Sequence, residues 1–211
     1  NTKLPTITLT KISHGDVGPF TFNGNNGFGA AETITTVTSG TSASGAGHVL
    51  AAAAAATTVT ETIPAGYKLA SATCTGMGTG GTATPNLSSG ALVLNAAATS
   101  AGSNIACTFT NTKLPTVTLT KISNGDVGAF TFTGTNGWTS QTITTLTSGA
   151  GETGATQALT AAATVTTISE AIPAGYVLAS ATCMGVGAGG TAVPNLATGA
   201  LVLDSAATAA G

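Results

Sequence analysis

Thr6-Ile7-Thr8-Leu9-Thr10-Lys11-Ile12 alternates apolar and polar side chains with a period of two, the spacing of a β-strand. Ile7, Leu9 and Lys11 therefore share one face, and the threonines take the other. The stretch returns as Thr116-Val117-Thr118-Leu119-Thr120-Lys121-Ile122, preceded by a second copy of Asn1-Thr2-Lys3-Leu4-Pro5 at 111–115. Ile63-Pro64-Ala65-Gly66-Tyr67 likewise returns at 172–176. A unit of about 110 residues has the size of an independent domain rather than of a solenoid repeat. The reading is two tandem domains, 1–110 and 111–211, the second lacking a counterpart of 103–110. The chain reads as a window on a longer array of such units.

Further strand-like runs lie at 20–22, 33–38, 57–63, 67–74, 91–94 and 105–111, separated by Gly, Asn, Ser and Pro clusters. About seven short strands in a unit of this length predict an all-β fold, a tandem pair of immunoglobulin-like sandwiches. The alanine run 51–56 has room for a helical turn at most.

Composition narrows the function. The 211 residues carry 5 lysines, no arginine and 7 acidic side chains, for a net charge of −2. Such a chain has no surface for neutralising phosphates, so nucleic acid is excluded as a partner. Its 2 histidines and 3 cysteines leave little material for a metal centre, and no cofactor motif survives inspection. Gly76-Met77-Gly78-Thr79-Gly80-Gly81 has dinucleotide-loop spacing, but Pro85 follows where a helix must start. No apolar run approaches the roughly 20 residues of a membrane span. The residues point away from an enzyme.

Against this background the core-facing charges stand out. Lys11 shares its face with Ile7 and Leu9; Glu61 shares one with Val59 and Ile63; Asn111 shares one with Ile105, Cys107 and Phe109. Unit two repeats the first two as Lys121 and Glu170, while its asparagine would lie beyond Gly211. Isolated buried charges cost several kcal/mol, so lysine and glutamate must pair or neutralise each other. Two arrangements satisfy that requirement. One is a buried ion pair with Asn111 hydrogen-bonded beside it. The other is an intramolecular isopeptide bond, in which a neutral Lys11 amine attacks the Asn111 side-chain carbonyl beside a protonated Glu61.

Glu61-Thr62-Ile63-Pro64-Ala65-Gly66-Tyr67 resembles the glutamate box, Glu-x-x-x-Pro-x-Gly-Tyr, of collagen-adhesin B-type and SpaA-like pilin domains, with Glu61 one residue nearer its proline. Leu9-Thr10-Lys11 and Phe109-Thr110-Asn111-Thr112 are similar to the lysine and asparagine motifs of the same domains. The resemblance spans both units. It implies a prealbumin-like sandwich, a Lys11–Asn111 crosslink assisted by Glu61, and a place in a secreted bacterial surface protein.

Cys74 and Cys107 give one pair in the first unit, and Cys183 matches Cys74 with its mate outside the chain. That arithmetic predicts a Cys74–Cys107 disulfide in an oxidising compartment. The functional expectation is a structural repeat of an extracellular or cell-surface stalk, adhesin or filament. Its partners are further copies of the repeat, with possible strand complementation at an open edge of unit two. The alternative is a carbohydrate- or ice-binding adhesin module, using threonine rows or Trp138.

Overall fold

The computed structural model describes residues 1–29 and 31–210. They form two compact units, Asn1–Lys113 and Leu114–Gly211. The division falls beyond Thr110, where the repeat arithmetic placed it. Asn111 is a fully buried core residue of the first unit, and Lys113 pairs with Tyr67.

Unit one contains β1 (Thr6–His14), β2 (Gly18–Gly24), β3 (Glu32–Thr36), β4 (Ala43–Val49), β5 (Thr57–Thr62), β6 (Tyr67–Thr75), β7 (Ala83–Asn86), β8 (Ala91–Leu94) and β9 (Asn104–Lys113). One sheet has the order β4-β1-β9-β6 and the other β3-β2-β5-β8-β7. All neighbours are antiparallel except β1 and β9, the first and last strands, which run parallel. The alternation seen in the sequence is the burial pattern. Ile7, Leu9, Ile105, Cys107 and Phe109 point inward from the first sheet, and Phe20, Phe22, Val59, Leu92 and Leu94 from the second. Phe22 meets Phe109 edge-on, ring centres 5.1 Å apart. The alanine run forms bends and turns, with Ala54 at φ 52°. There is no helix among the described residues, hence none long and apolar enough to cross a membrane.

Unit two contains β10 (Thr116–Val117), β11 (Thr120–Ile122), β12 (Ala129–Gly134), β13 (Gln141–Thr144), β14 (Gly151–Thr153), β15 (Gln157–Ala158), β16 (Thr166–Ala171), β17 (Ala192–Asn195) and β18 (Ala200–Leu203). Its second sheet, β13-β12-β16-β18-β17, repeats that of unit one strand for strand. Its first sheet is reduced to two short pairs, β10-β15 and β11-β14. The counterpart of β1 is broken at 118–119, where the β1–β4 register of unit one is shifted. Residues 176–184, the counterpart of β6, form no strand. In unit one β9 lies between β1 and β6 and pairs with both. In unit two β10 and β11 each pair on one side only, with β15 and β14.

Candidate functional site

Lys11 enters the interior of unit one because β1 alternates, and the next inward positions after Ile7 and Leu9 are Lys11 and Ser13. Its side chain is wholly buried. Nζ lies 3.1 Å from Glu61 Oε1, donates to the Phe109 carbonyl at 3.3 Å, and sits 4.4 Å from the centre of the Phe20 ring. Glu61 comes from the opposite sheet, inward on β5 beside Val59. Its backbone N–H donates to the Gly90 carbonyl at 2.9 Å, which fixes where the carboxylate starts. Asn111 is inward on β9, and its Nδ2 donates to the same Glu61 Oε1 at 2.8 Å. All three side chains meet in the buried core.

Two polar atoms in this cluster have no partner: Glu61 Oε2 and Asn111 Oδ1. An unsatisfied buried oxygen costs about 1–3 kcal/mol, so the arrangement is not a resting ion pair with every bond made. Burial pushes the Lys11 ammonium down to about 8, opposed by the attraction and hydrogen bond of Glu61. Burial also pushes the Glu61 carboxyl up, opposed by Lys11 and by the Asn111 hydrogen bond. Desolvation outweighs attraction in both, so each group is moved toward its neutral form. A neutral amine beside a carboxamide and a protonated carboxyl is the set needed for amide exchange.

A family model described as a prealbumin-like fold domain of the SpaA type matches residues 7–113 and 117–211. The chain belongs to this family. No curated protein and no solved structure matches it.

The family's two tandem copies differ at the site. In unit two Lys121 Nζ donates to both Glu170 oxygens, at 2.7 and 3.0 Å, above the Phe130 ring. With no carboxamide between them, the two charges close into a bidentate pair. Cys74 and Cys107 are directly opposite on β6 and β9 and form a disulfide, whereas Cys183 is free. No group of three or more potential metal-ligating side chains occurs among the described residues.

Sequence reasoning missed two members of the site. Phe20 was read only as strand, although its recurrence as Phe130 at the same offset as Lys11 and Lys121 was a usable signal. Gly90 was read only as turn. It recurs as Gly199, and each carbonyl takes the backbone N–H of the unit's core glutamate at 2.9 Å.

Proposed function

We propose that this chain is a load-bearing structural segment of a secreted bacterial surface stalk, adhesin or extracellular filament, in which unit one closes an amide between Lys11 and Asn111. The observation that carries the reading is the convergence of Lys11 Nζ and the Asn111 carboxamide on one oxygen of a buried Glu61. The partners are further copies of the repeat in tandem or in a filament. Membership of the SpaA-type prealbumin-fold family supports the structural role.

The chemistry follows from the geometry. A half-turn of the Asn111 carboxamide exchanges Oδ1 and Nδ2, two positions of nearly equal shape. Protonated Glu61 then donates to the carboxamide oxygen at the position Nδ2 now occupies. The neutral Lys11 amine adds to Cγ, and Glu61 holds the developing oxyanion. The carboxyl group takes the proton from Nζ and delivers it to Nδ2. The Cγ–Nδ2 bond breaks, ammonia leaves, and the Nζ–Cγ amide remains. Lys11 and Asn111 lie on the first and last strands, so tension entering β1 and leaving β9 passes through the amide. The Cys74–Cys107 bond ties β6 to the same strand.

Intact mass under reducing conditions tests this reading. The expected result is a chain lighter by one ammonia, with the deficit lost in Lys11→Ala and in Asn111→Ala. An unmodified mass removes the crosslink.

A second reading rests on the outward faces. Thr10, Thr108 and Thr73 stand in one row across β1, β9 and β6. The rows on either side are interrupted, by Ala106 between Thr8 and Thr75 and by Ile12 beside Thr110 and Ser71, so the hydroxyls form one short row rather than the lattice of an ice-binding surface. Absence of thermal hysteresis removes that reading. A carbohydrate site has less support, because Trp138 is only 6% exposed and packs in the core of unit two.

A further inference from the structure

The turn that joins β7 to β8 in unit one reads Asn86-Leu87-Ser88-Ser89-Gly90, and its first four residues are exposed. Asn86 Oδ1 accepts three hydrogen bonds. The Ser88 hydroxyl donates at 2.8 Å, and the backbone N–H groups of Ser88 and Ser89 donate at 3.2 Å each. The two backbone donors fix which end of the carboxamide is oxygen. That leaves Nδ2 with no acceptor among the described residues. Asn26, Asn95, Asn111 and Asn136, by contrast, spend their Nδ2 on neighbouring carbonyls, hydroxyls or Glu61. Of the chain's eleven asparagines only Asn86 has a hydroxyl-bearing residue two positions on, with leucine rather than proline between. Unit two repeats the turn as Asn195-Leu196-Ala197-Thr198-Gly199. There Asn195 Oδ1 keeps its two backbone donors, from Ala197 and Thr198 at 3.2 Å, and lacks the hydroxyl.

We propose that Asn86 is a modification site, the acceptor of a sugar joined to Nδ2 by a transferase that uses an activated glycosyl diphosphate. Asn-x-Ser is the tripeptide in which an asparagine side chain takes a sugar at a protein surface. The geometry supplies what the tripeptide alone does not. A carboxamide nitrogen is a weak nucleophile, because its lone pair is shared with the carbonyl. Removing a proton from Nδ2 puts the resulting charge on Oδ1, where three donors already point. The shortest of the three bonds comes from Ser88, the residue that unit two replaces by Ala197. Nδ2 then attacks the anomeric carbon of the sugar and the N–C bond forms. The bond from that carbon to the diphosphate oxygen breaks, the diphosphate leaves with the electron pair, and the proton passes to a base of the transferase. The bonds that shape the turn all join residues within 86–90, including Gly90 N–H to the Asn86 carbonyl at 3.0 Å. β7 is an edge of its sheet, so a sugar here meets no further strand and covers an edge otherwise open to pairing. The modification does not depend on the amide proposed between Lys11 and Asn111.

The test takes the protein from the cells that make it and maps its peptides by mass. The Asn86 peptide is expected to carry one or more sugar masses, and the Asn195 peptide none. The sugar is expected to be lost in Asn86→Gln and in Ser88→Ala and to persist in Ser88→Thr. In Ala197→Ser, which restores the hydroxyl to unit two, it is expected to appear at Asn195 as well. An unmodified Asn86 peptide overturns the proposal. So does a sugar that survives Asn86→Gln at this turn, since it would then sit on a serine hydroxyl. Glycosylation of Asn86 at the parent level in Ser88→Ala, or an Asn195 left bare in Ala197→Ser, overturns the part given to the hydroxyl.

Discussion

Lys11 and Asn111, on neighbouring parallel strands, direct their nitrogens to the same atom, Oε1 of Glu61, at 3.1 and 2.8 Å. A carboxyl group shared in this way faces an amine and a carboxamide nitrogen of very different basicity. In the proposed exchange only the carboxamide nitrogen can leave as ammonia, once Glu61 has passed it a proton.

Glu61→Gln preserves the size and the hydrogen-bonding reach of that side chain but removes its ability to relay a proton. Amide formation, followed by mass after refolding an uncrosslinked preparation, is expected to slow by about 10²–10⁴-fold. Crosslinking of Glu61→Gln at the parent rate would show that Glu61 is only a spacer.

The rate of the same reaction is expected to be bell-shaped in pH. The reactive state holds one proton between Lys11 and Glu61, the same proton count as the ion pair. Above about 8 that proton is lost from Lys11, and the rate falls. On the acid side a second proton is added at Glu61, whose titration burial has moved above the usual carboxylate range, so that limb lies above 4.5. A rate still climbing well above pH 8 contradicts the assignment.

The stability of an uncrosslinked variant, Asn111→Ala, should carry the opposite mark of the buried lysine. Between about 8 and 10.5 the unfolded chain keeps a proton on Lys11 that the folded chain has released. Stability therefore rises with pH across that window and falls as pH drops through it. A parent carrying the proposed amide is expected to lack this slope, because an amide nitrogen does not titrate. Denaturant melts of both proteins at several pH values make the comparison.

Gly90→Ala is expected to weaken unit one and to slow its crosslink together. Gly90 has φ +77°, a conformation that costs an L-residue about 1–2 kcal/mol, and an added Cβ runs into the Glu61 carbonyl. The variant displaces the β5 backbone that carries the carboxylate. Gly199→Ala, beside Glu170, leaves the unit-one rate untouched and serves as control. Thermal melts and the mass time course together separate the two effects.

Replacing Cys74 and Cys107 by serine removes a bond that closes a separation of 33 residues. The expected loss is about 3–4 kcal/mol of unit-one stability, read from denaturant midpoints under non-reducing conditions. Equal midpoints for parent and double variant would place the stabilisation elsewhere.

The inward faces of β1, β5 and β9 were legible because branched and aromatic residues alternate there, and the structure buries Ile7, Leu9, Lys11, Val59, Glu61, Phe109 and Asn111 together. The parallel pairing of β1 with β9 was not legible, since it joins segments from opposite ends of the unit and leaves no local trace. β4 was missed because Ala43-Ser44-Gly45-Ala46-Gly47-His48-Val49 has almost no strand-forming side chains. β7 was missed because Pro85 interrupts it, which is tolerated on a sheet edge. Unit two has Gln157 in the place of His48. Yet His48 meets Glu32 at 3.1 Å, linking β4 to β3, and Gln157 holds both the N–H and the carbonyl of Thr139 at 2.7 and 2.8 Å. The position persists with different chemistry, which residue identity alone does not reveal.

The pairing of the two terminal strands also fixes a length. Roughly 100 residues lie between Lys11 and Asn111, and pulled straight at ~3.4 Å each they span about 340 Å. The Cys74–Cys107 bond already withholds the 33 residues it spans, and hydrogen bonds guard the rest of that slack. With the proposed amide closed, the rest would stay locked inside too, and unit one would pass on every tug at nearly constant length, a strut rather than a spring.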